Sequence, residues 1–101
     1  MKLIIITAVK EYENSVFKLL KTAGIEHFSG SPIDGYKTVP TVLMESSWFP
    51  SDKAGAASSL FFSFTEEEKV DALFNAIEKF NSELQSTNPV RAVELPISRY
   101  I

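Results

Sequence analysis

The sequence predicts an α+β fold: a four-stranded antiparallel sheet with two helices on one face and a long loop between strands two and three. Three observations predict it. Short β-branched runs and amphipathic stretches follow one another in the order β-α-β, loop, β-α-β. The two halves also resemble each other at an offset of 57 residues, pairing Ile4 with Phe61, Ile5 with Phe62, Val16 with Leu73, Phe17 with Phe74 and Leu20 with Ile77. Between the halves, residues 35–57 (GYKTVPTVLMESSWFPSDKAGAA) have no period and contain the only Trp and two of the five prolines. An irregular connection of about 20 residues in a small domain is usually functional or disordered.

Residues 2–9 (KLIIITAV) are rich in β-branched side chains and read as the first strand. Ile4, Ile5 and Ile6 are successive, so both faces of this strand are expected to be covered. Residues 11–23 place Tyr12, Val16, Phe17, Leu19, Leu20 and Ala23 at helical spacing, with Lys10, Lys18 and Lys21 toward solvent. Gly24 is the expected stop, because glycine takes the left-handed conformation there without penalty.

Residues 25–36 (IEHFSGSPIDGY) form a weaker strand, interrupted by Gly30 and Pro32. Proline cannot donate to a ladder, which predicts an edge or a bulge. Asp34-Gly35 is a turn or bend signal that launches the loop. In residues 58–64 (SSLFFSF), the third strand, Leu60, Phe62 and Phe64 share one face; Phe61 lies on the other beside Ser59 and Ser63.

Thr65-Glu66-Glu67-Glu68 has the form of a capping box, with acids at the positive end of the helix dipole. The second helix continues to about residue 83 on Val70, Leu73, Phe74, Ile77 and Phe80. Residues 90–97 (VRAVELPI) are the fourth strand, and Pro96 places its end at an edge. The whole is the split βαβ, or ferredoxin-like, pattern over residues 1–101 as one domain, with 37–57 as an extended loop. Ile4, Ile6 and Phe61 are not expected to fit together under two helices, so self-association through the sheet is predicted. The loop folding back on its own sheet is the other way to cover it.

Composition narrows the function. The 101 residues are 45% hydrophobic and 23% charged, as in an ordinary globular domain. A net charge of −3 without a basic cluster gives no phosphate-backbone footprint, so nucleic acid is not expected. There is no Cys, hence no disulfide and no thiolate metal site. Residues 3–9 are too short to span a membrane and lack a small-residue cleavage site. A cytoplasmic protein is expected.

No catalytic constellation is visible, and the expectation is a protein that is not an enzyme. The single His, His27, stands alone, and no paired metal ligands or glycine-rich phosphate motifs are present. The aromatics are mostly core by their spacing. Trp48-Phe49 is the exception, an apolar pair in the loop that suits either packing on the body or a partner-protein contact, together with Met44.

Several segments resemble the nitrogen-regulatory PII signalling proteins and their divergent relatives. Over the first 37 positions the family has a strand of the type KxIxAII, where this chain has residues 2–8 (KLIIITA), and then a helix ending in an AGI-like turn, here Ala23-Gly24-Ile25. Gly35-Tyr36-Lys37 stands where the family has its GFG-like motif. The stretch TEEEKVDALFNAIEKF is similar to the family's second helix, and VRAVELPI to its final strand.

The resemblance implies a homotrimer whose sheets line a central barrel. It implies an adenine nucleotide or other small anion in the cleft between subunits, and a target enzyme, transporter or regulator docking on the loop. Gly35 matches the first glycine of the loop-base motif and Lys37 replaces the second. Arg91 falls where the family has a phosphate-binding Lys, and Thr7 where strand one lines the pocket. On this basis Lys37 and Arg91 are expected near each other across a subunit boundary.

The departures bear on affinity. Residues 84–89 (LQSTNP) contain no glycine where the family has a glycine-rich phosphate loop, and the chain stops at Ile101, short of the basic segment that closes over the nucleotide. ATP binding is therefore expected to be weak. No Tyr lies between Lys37 and Ala57, so the family's tyrosine modification is not expected.

Two other readings fit the pattern. One is the copper-tolerance CutA type, a divalent-cation-tolerance protein, whose aromatic-rich motif after strand two is not matched by Ser47-Trp48-Phe49-Pro50 of this chain. The other is a small dimeric isomerase or monooxygenase, for which only His27 and Asp34 are candidate acids or bases.

Overall fold

Strand β1 (Lys2–Val9) lies inside a sheet of order β2-β3-β1-β4, hydrogen-bonded to β3 (Ala56–Thr65) on one side and β4 (Arg91–Pro96) on the other. The computed structural model describes residues 1–36, 56–84 and 87–101. Every pairing is antiparallel, and β2 (Ser29–Gly35) completes the sheet outside β3. The ferredoxin-like order is therefore present, with β2 and β4 as the edges. Both edge strands carry the proline that the sequence led us to expect there: Pro32 in β2 and Pro96 at the end of β4.

A 3-10 turn at Lys10–Tyr12 leads into α1 (Glu13–Thr22), so the regular helix begins two residues later than its periodicity suggested. It ends in a Schellman arrangement. Ile25 N–H donates to Leu20 O and Gly24 N–H to Lys21 O, both at 3.0 Å, and Gly24 has φ of 79°. Ile25 and Leu20 then meet in the core, the apolar contact that accompanies this cap.

α2 (Glu67–Glu83) ends where the sequence placed it, but its start differs. Thr65 is the last residue of β3, and the N-cap is Glu66, which makes no side-chain cap bond. Thr65 pairs with Lys2 at the end of β3, and the helix begins one residue later than the capping-box spacing requires, with Glu66 O accepting from Lys69 and Val70 N–H. Glu67 and Glu68 do occupy the first turn, at the positive end of the dipole.

The core lies between the helices and one sheet face. Ile4, Ile6, Ala8 and Phe61 meet Val16, Leu20, Val70, Leu73 and Ile77 there. This corrects the expectation that Ile4, Ile6 and Phe61 could not all fit beneath two helices. Residues 4 and 6 have the same parity, and Ile6 pairs with Phe61, so the register turns all three to the same side. The small side chains Ala8, Ser59 and Ser63 on that side leave room for them. The residues turned the other way include Leu3, Ile5, Thr7 and Val9 of β1, Ser58, Leu60, Phe62 and Phe64 of β3, and Arg91, Val93 and Leu95 of β4.

That second face is incompletely covered: Phe62 is 40% exposed, Phe64 57% and Leu95 40%. They correct the view that the aromatics outside the loop are mostly core. The internal repeat is visible in three dimensions. Ile4 and Phe61 both point to the helices, Ile5 and Phe62 both point away, and Val16, Leu73, Leu20 and Ile77 are all buried. No helix among the described residues is long and apolar enough to cross a membrane.

Candidate functional site

Parity and register decide which predicted site residues can meet. Thr7 stands directly across from Arg91 in the β1–β4 ladder and across from Leu60 in the β1–β3 ladder. The three share the face turned away from the helices. Arg91 is the first residue of β4 and is half-buried, so its guanidinium belongs to the end of the sheet where β4 begins. Among the described strand residues it is the one charged side chain on this face; Lys2, Asp34 and Glu94 have the opposite parity.

Gly35 is buried and pairs with Ala56, at the end of β2. It faces the same way as Thr7 but lies four residues further along β3, a rise of about 13 Å, and two strands stand between β2 and β4. Within one chain Gly35 and Arg91 are therefore at opposite edges and do not share a small ligand. Asp34 and Gly35, read from sequence as a turn or bend, are themselves strand residues, paired with Ala57 and Ala56. Correspondingly β3 begins at Ala56, two residues inside the stretch read as loop. Lys37, Met44, Trp48 and Phe49 lie outside the described residues.

Two side chains near this end are unusual. Thr7 is 2% exposed and Ser58 1%, and neither hydroxyl has a hydrogen-bond partner among the described residues. Ser58 pairs with Val9, one step diagonally from Thr7 on the same face. Sequence reasoning did not single out Ser58; its parity with Leu60 and Phe62 in SSLFFSF was the available signal.

A hollow of about 460 Å³ lies further along the β2 edge, lined by Glu26, His27, Ser29, Phe62 and Phe64 among others. Phe62 and Phe64 meet edge to face with ring centroids 6.3 Å apart, a surface that suits a flat or apolar group. His27 is exposed, and its carbonyl accepts a 2.7 Å bond from Ser63 Oγ. Asp34 stands toward the far end of β2 from His27, so the two candidate acid–base groups are not brought together.

On the helix side, Ser59 Oγ donates to Glu13 Oε2, which also faces Lys10 Nζ at 3.7 Å. These groups line a smaller hollow of about 300 Å³ with Phe17, Phe28 and Phe61. Their hydrogen bond and ion pair account for them structurally, as an anchor between α1 and β3. Among the described residues, no group of three or more His, Asp or Glu side chains is placed to hold a metal ion.

No protein-family model and no curated protein matches the sequence. Solved structures do resemble it in three dimensions. CPII, a nitrogen regulatory PII-like protein from Thiomonas intermedia K12 bound to ADP, AMP and bicarbonate, superposes with a TM-score of 0.63 at 17% identity, over 99% of this chain and 94% of that one. CPII bound to ADP, AMP and acetate gives 0.64 at 14% identity, over 97% and 88%. A DUF3240 family protein from Shewanella baltica OS155 gives 0.66 at 17% identity, over 98% and 91%. The chain has the PII-like fold.

Proposed function

We propose that this chain is a divergent PII-like regulatory protein: a cytoplasmic homotrimer that binds a small anionic effector between subunits and contacts a target protein through the 37–57 loop. It works by binding, not catalysis. The observation that carries the proposal is the near-complete overlap with a PII-like protein whose structure contains ADP, AMP and bicarbonate. The geometry adds a reason for copies to associate. Gly35 and Arg91 stand at opposite edges of one sheet, so a cleft using both needs the β2 edge of one copy beside the β4 edge of another. The uncovered apolar face of Ile5, Phe62, Phe64 and Leu95 gives those copies a surface on which to associate.

In this reading Arg91 supplies the fixed positive charge, and its planar guanidinium holds a phosphate or carboxylate in two-point contact. Thr7 lines the same pocket, Gly35 shapes the loop base, and Lys37 adds a second cation. The connection from α2 to β4 has no glycine, so few backbone amides can close on a polyphosphate, and weak nucleotide binding follows.

Calorimetric titration of wild type and Arg91→Ala with ATP, ADP, AMP and bicarbonate tests the proposal. The expected result is weak binding of at least one of these anions and its loss in the variant. Unaltered binding in Arg91→Ala places the site elsewhere. A well-folded monomer by light scattering at micromolar concentration rejects the trimer.

A further inference from the structure

We infer that the hollow between α1 and β2, on the helix side of the sheet, is a binding site for a free amino acid with an apolar side chain. Glu13 holds its ammonium, Lys10 its carboxylate, and Phe17, Phe28 and Phe61 its side chain. Ser59 and Phe61 face the helices, whereas Thr7 and Arg91 face away from them, so this site is separate from the anion cleft and does not depend on it.

Register makes the hollow. The row Ala8, Ser59, Pro32 crosses β1, β3 and β2, and the next row is Ile6, Phe61, Gly30. Gly30 and Ser59 put little side chain on the helix side near the start of α1. Phe17 of α1 stands over Phe61, with ring centroids 5.4 Å apart. A space of about 300 Å³ remains beside them. Small-molecule pockets run from about 300 to 1,000 Å³, so this one suits a single amino acid better than a nucleotide.

Charge decides the polar half of the ligand. The Ser59 hydroxyl donates to Glu13 Oε2 and anchors α1 to β3, but a carboxylate has about four acceptor positions. Lys10 Nζ stands 3.7 Å from the same oxygen, near enough for ionic attraction and too far for a hydrogen bond. Both groups therefore keep bonding capacity for a third party. A zwitterion presents the reverse pair, an ammonium and a carboxylate one carbon apart, and satisfies both without adding net charge. An amine alone leaves Lys10 unmatched, and an acid alone brings a second carboxylate beside Glu13.

The rings decide the apolar half. Phe17 remains 38% exposed although Phe28 and Phe61 pack against it, with centroids 5.8 and 5.4 Å away. This wall gains by covering an aliphatic or aromatic side chain. A polar side chain finds little to bond there: the other hydroxyl lining the hollow, that of Ser31, already donates to Pro32 O.

The test is calorimetric titration of the whole chain with L-phenylalanine and with L-leucine, and then with phenethylamine and 3-phenylpropionate, which each lack one charge. Wild type should bind at least one of the two amino acids. Glu13→Gln and Lys10→Gln should each weaken that binding about tenfold, the loss of a charged hydrogen bond. Glutamine at 13 still accepts from Ser59, and Lys10 is 61% exposed, so both variants should fold. If Glu13→Gln does not, Lys10→Gln and the two single-charge compounds decide the matter. Phenethylamine and 3-phenylpropionate should each bind at least about tenfold more weakly than L-phenylalanine. Phenethylamine or 3-phenylpropionate binding as tightly as L-phenylalanine overturns the zwitterion site. Amino-acid binding unchanged in both variants overturns it as well, and so does absence of binding by both amino acids.

Discussion

Asn81 holds both backbone groups of Val90: its side-chain Nδ2 donates to Val90 O and its Oδ1 accepts from Val90 N–H, each at 2.9 Å. The amide thus imitates a strand partner for the residue just before β4 and ties the last turns of α2 to the sheet. Val90 is 2% exposed, so its backbone groups have little access to water if the side chain is removed. Asn81→Ala is expected to lower stability by about 2–4 kcal/mol, the cost of two unsatisfied groups. Asn81→Asp keeps the acceptor but loses the donor and should also destabilise. Urea denaturation of both variants checks this; an unchanged midpoint for Asn81→Ala means water replaces the amide.

Gly30 is fixed by a ring rather than by its backbone angles. A Cβ built there would lie 2.8 Å from Phe61 Cδ1 and 3.0 Å from Cε1. Phe61 is buried against Phe17 and Phe28, with centroids 5.4 and 6.2 Å away, so its ring has little room to turn. Gly30→Ala should cost about 1–3 kcal/mol as an overpacking change. Adding Phe61→Leu should recover part of the loss, and a double-mutant cycle from thermal melts reads the coupling. Additive effects would show that the strand shifts to accommodate the methyl group.

Ile4 and Ile5 are adjacent but belong to different surfaces. Ile4→Lys buries a charge beneath both helices, at a cost on the order of the stability of a small domain, and should unfold the chain. Ile5→Lys places its charge beside Val93 and Phe62 on the other face, where solvent can reach it in a separate chain. It should leave the secondary structure intact while dissociating the proposed trimer. Circular dichroism and light scattering on the two variants distinguish these outcomes. If Ile5→Lys remains assembled, this face does not carry the association.

Gly35 and Ala56 are directly paired at the mouth of the loop. Paired antiparallel residues lie about 5 Å apart, so a few glycines can replace residues 38–53 without moving either strand. The deletion should change stability by only about 1 kcal/mol through loop closure and leave the proposed trimer intact. Capture of a target protein by the full chain, tested against the deletion in parallel pull-downs, should be lost. A deletion that unfolds the chain would assign the loop a structural role.

Local chemistry determined most of the elements. Glycine at position 24 ended the first helix because the left-handed cap favours it, and Pro32 and Pro96 marked edge strands because proline cannot donate to a ladder. Alternation in SSLFFSF separated Phe61 from Phe62 and Phe64, and the repeat at an offset of 57 residues announced two similar halves. Tertiary structure decided what depends on register and on the space between layers. Ile4, Ile6 and Phe61 fit beneath the helices because Ala8, Ser59 and Ser63 are small on that face, a fit that hydrophobic pattern alone does not measure. The N-cap fell on Glu66, one residue past Thr65, so the cap motif read from the sequence did not form. The Thr7–Arg91 pairing and the orphaned hydroxyl of Ser58 were likewise not legible, because they arise between residues far apart in the chain. Cross-strand register sets which side chains oppose one another, and burial sets which polar groups lose water; neither is a local property of sequence.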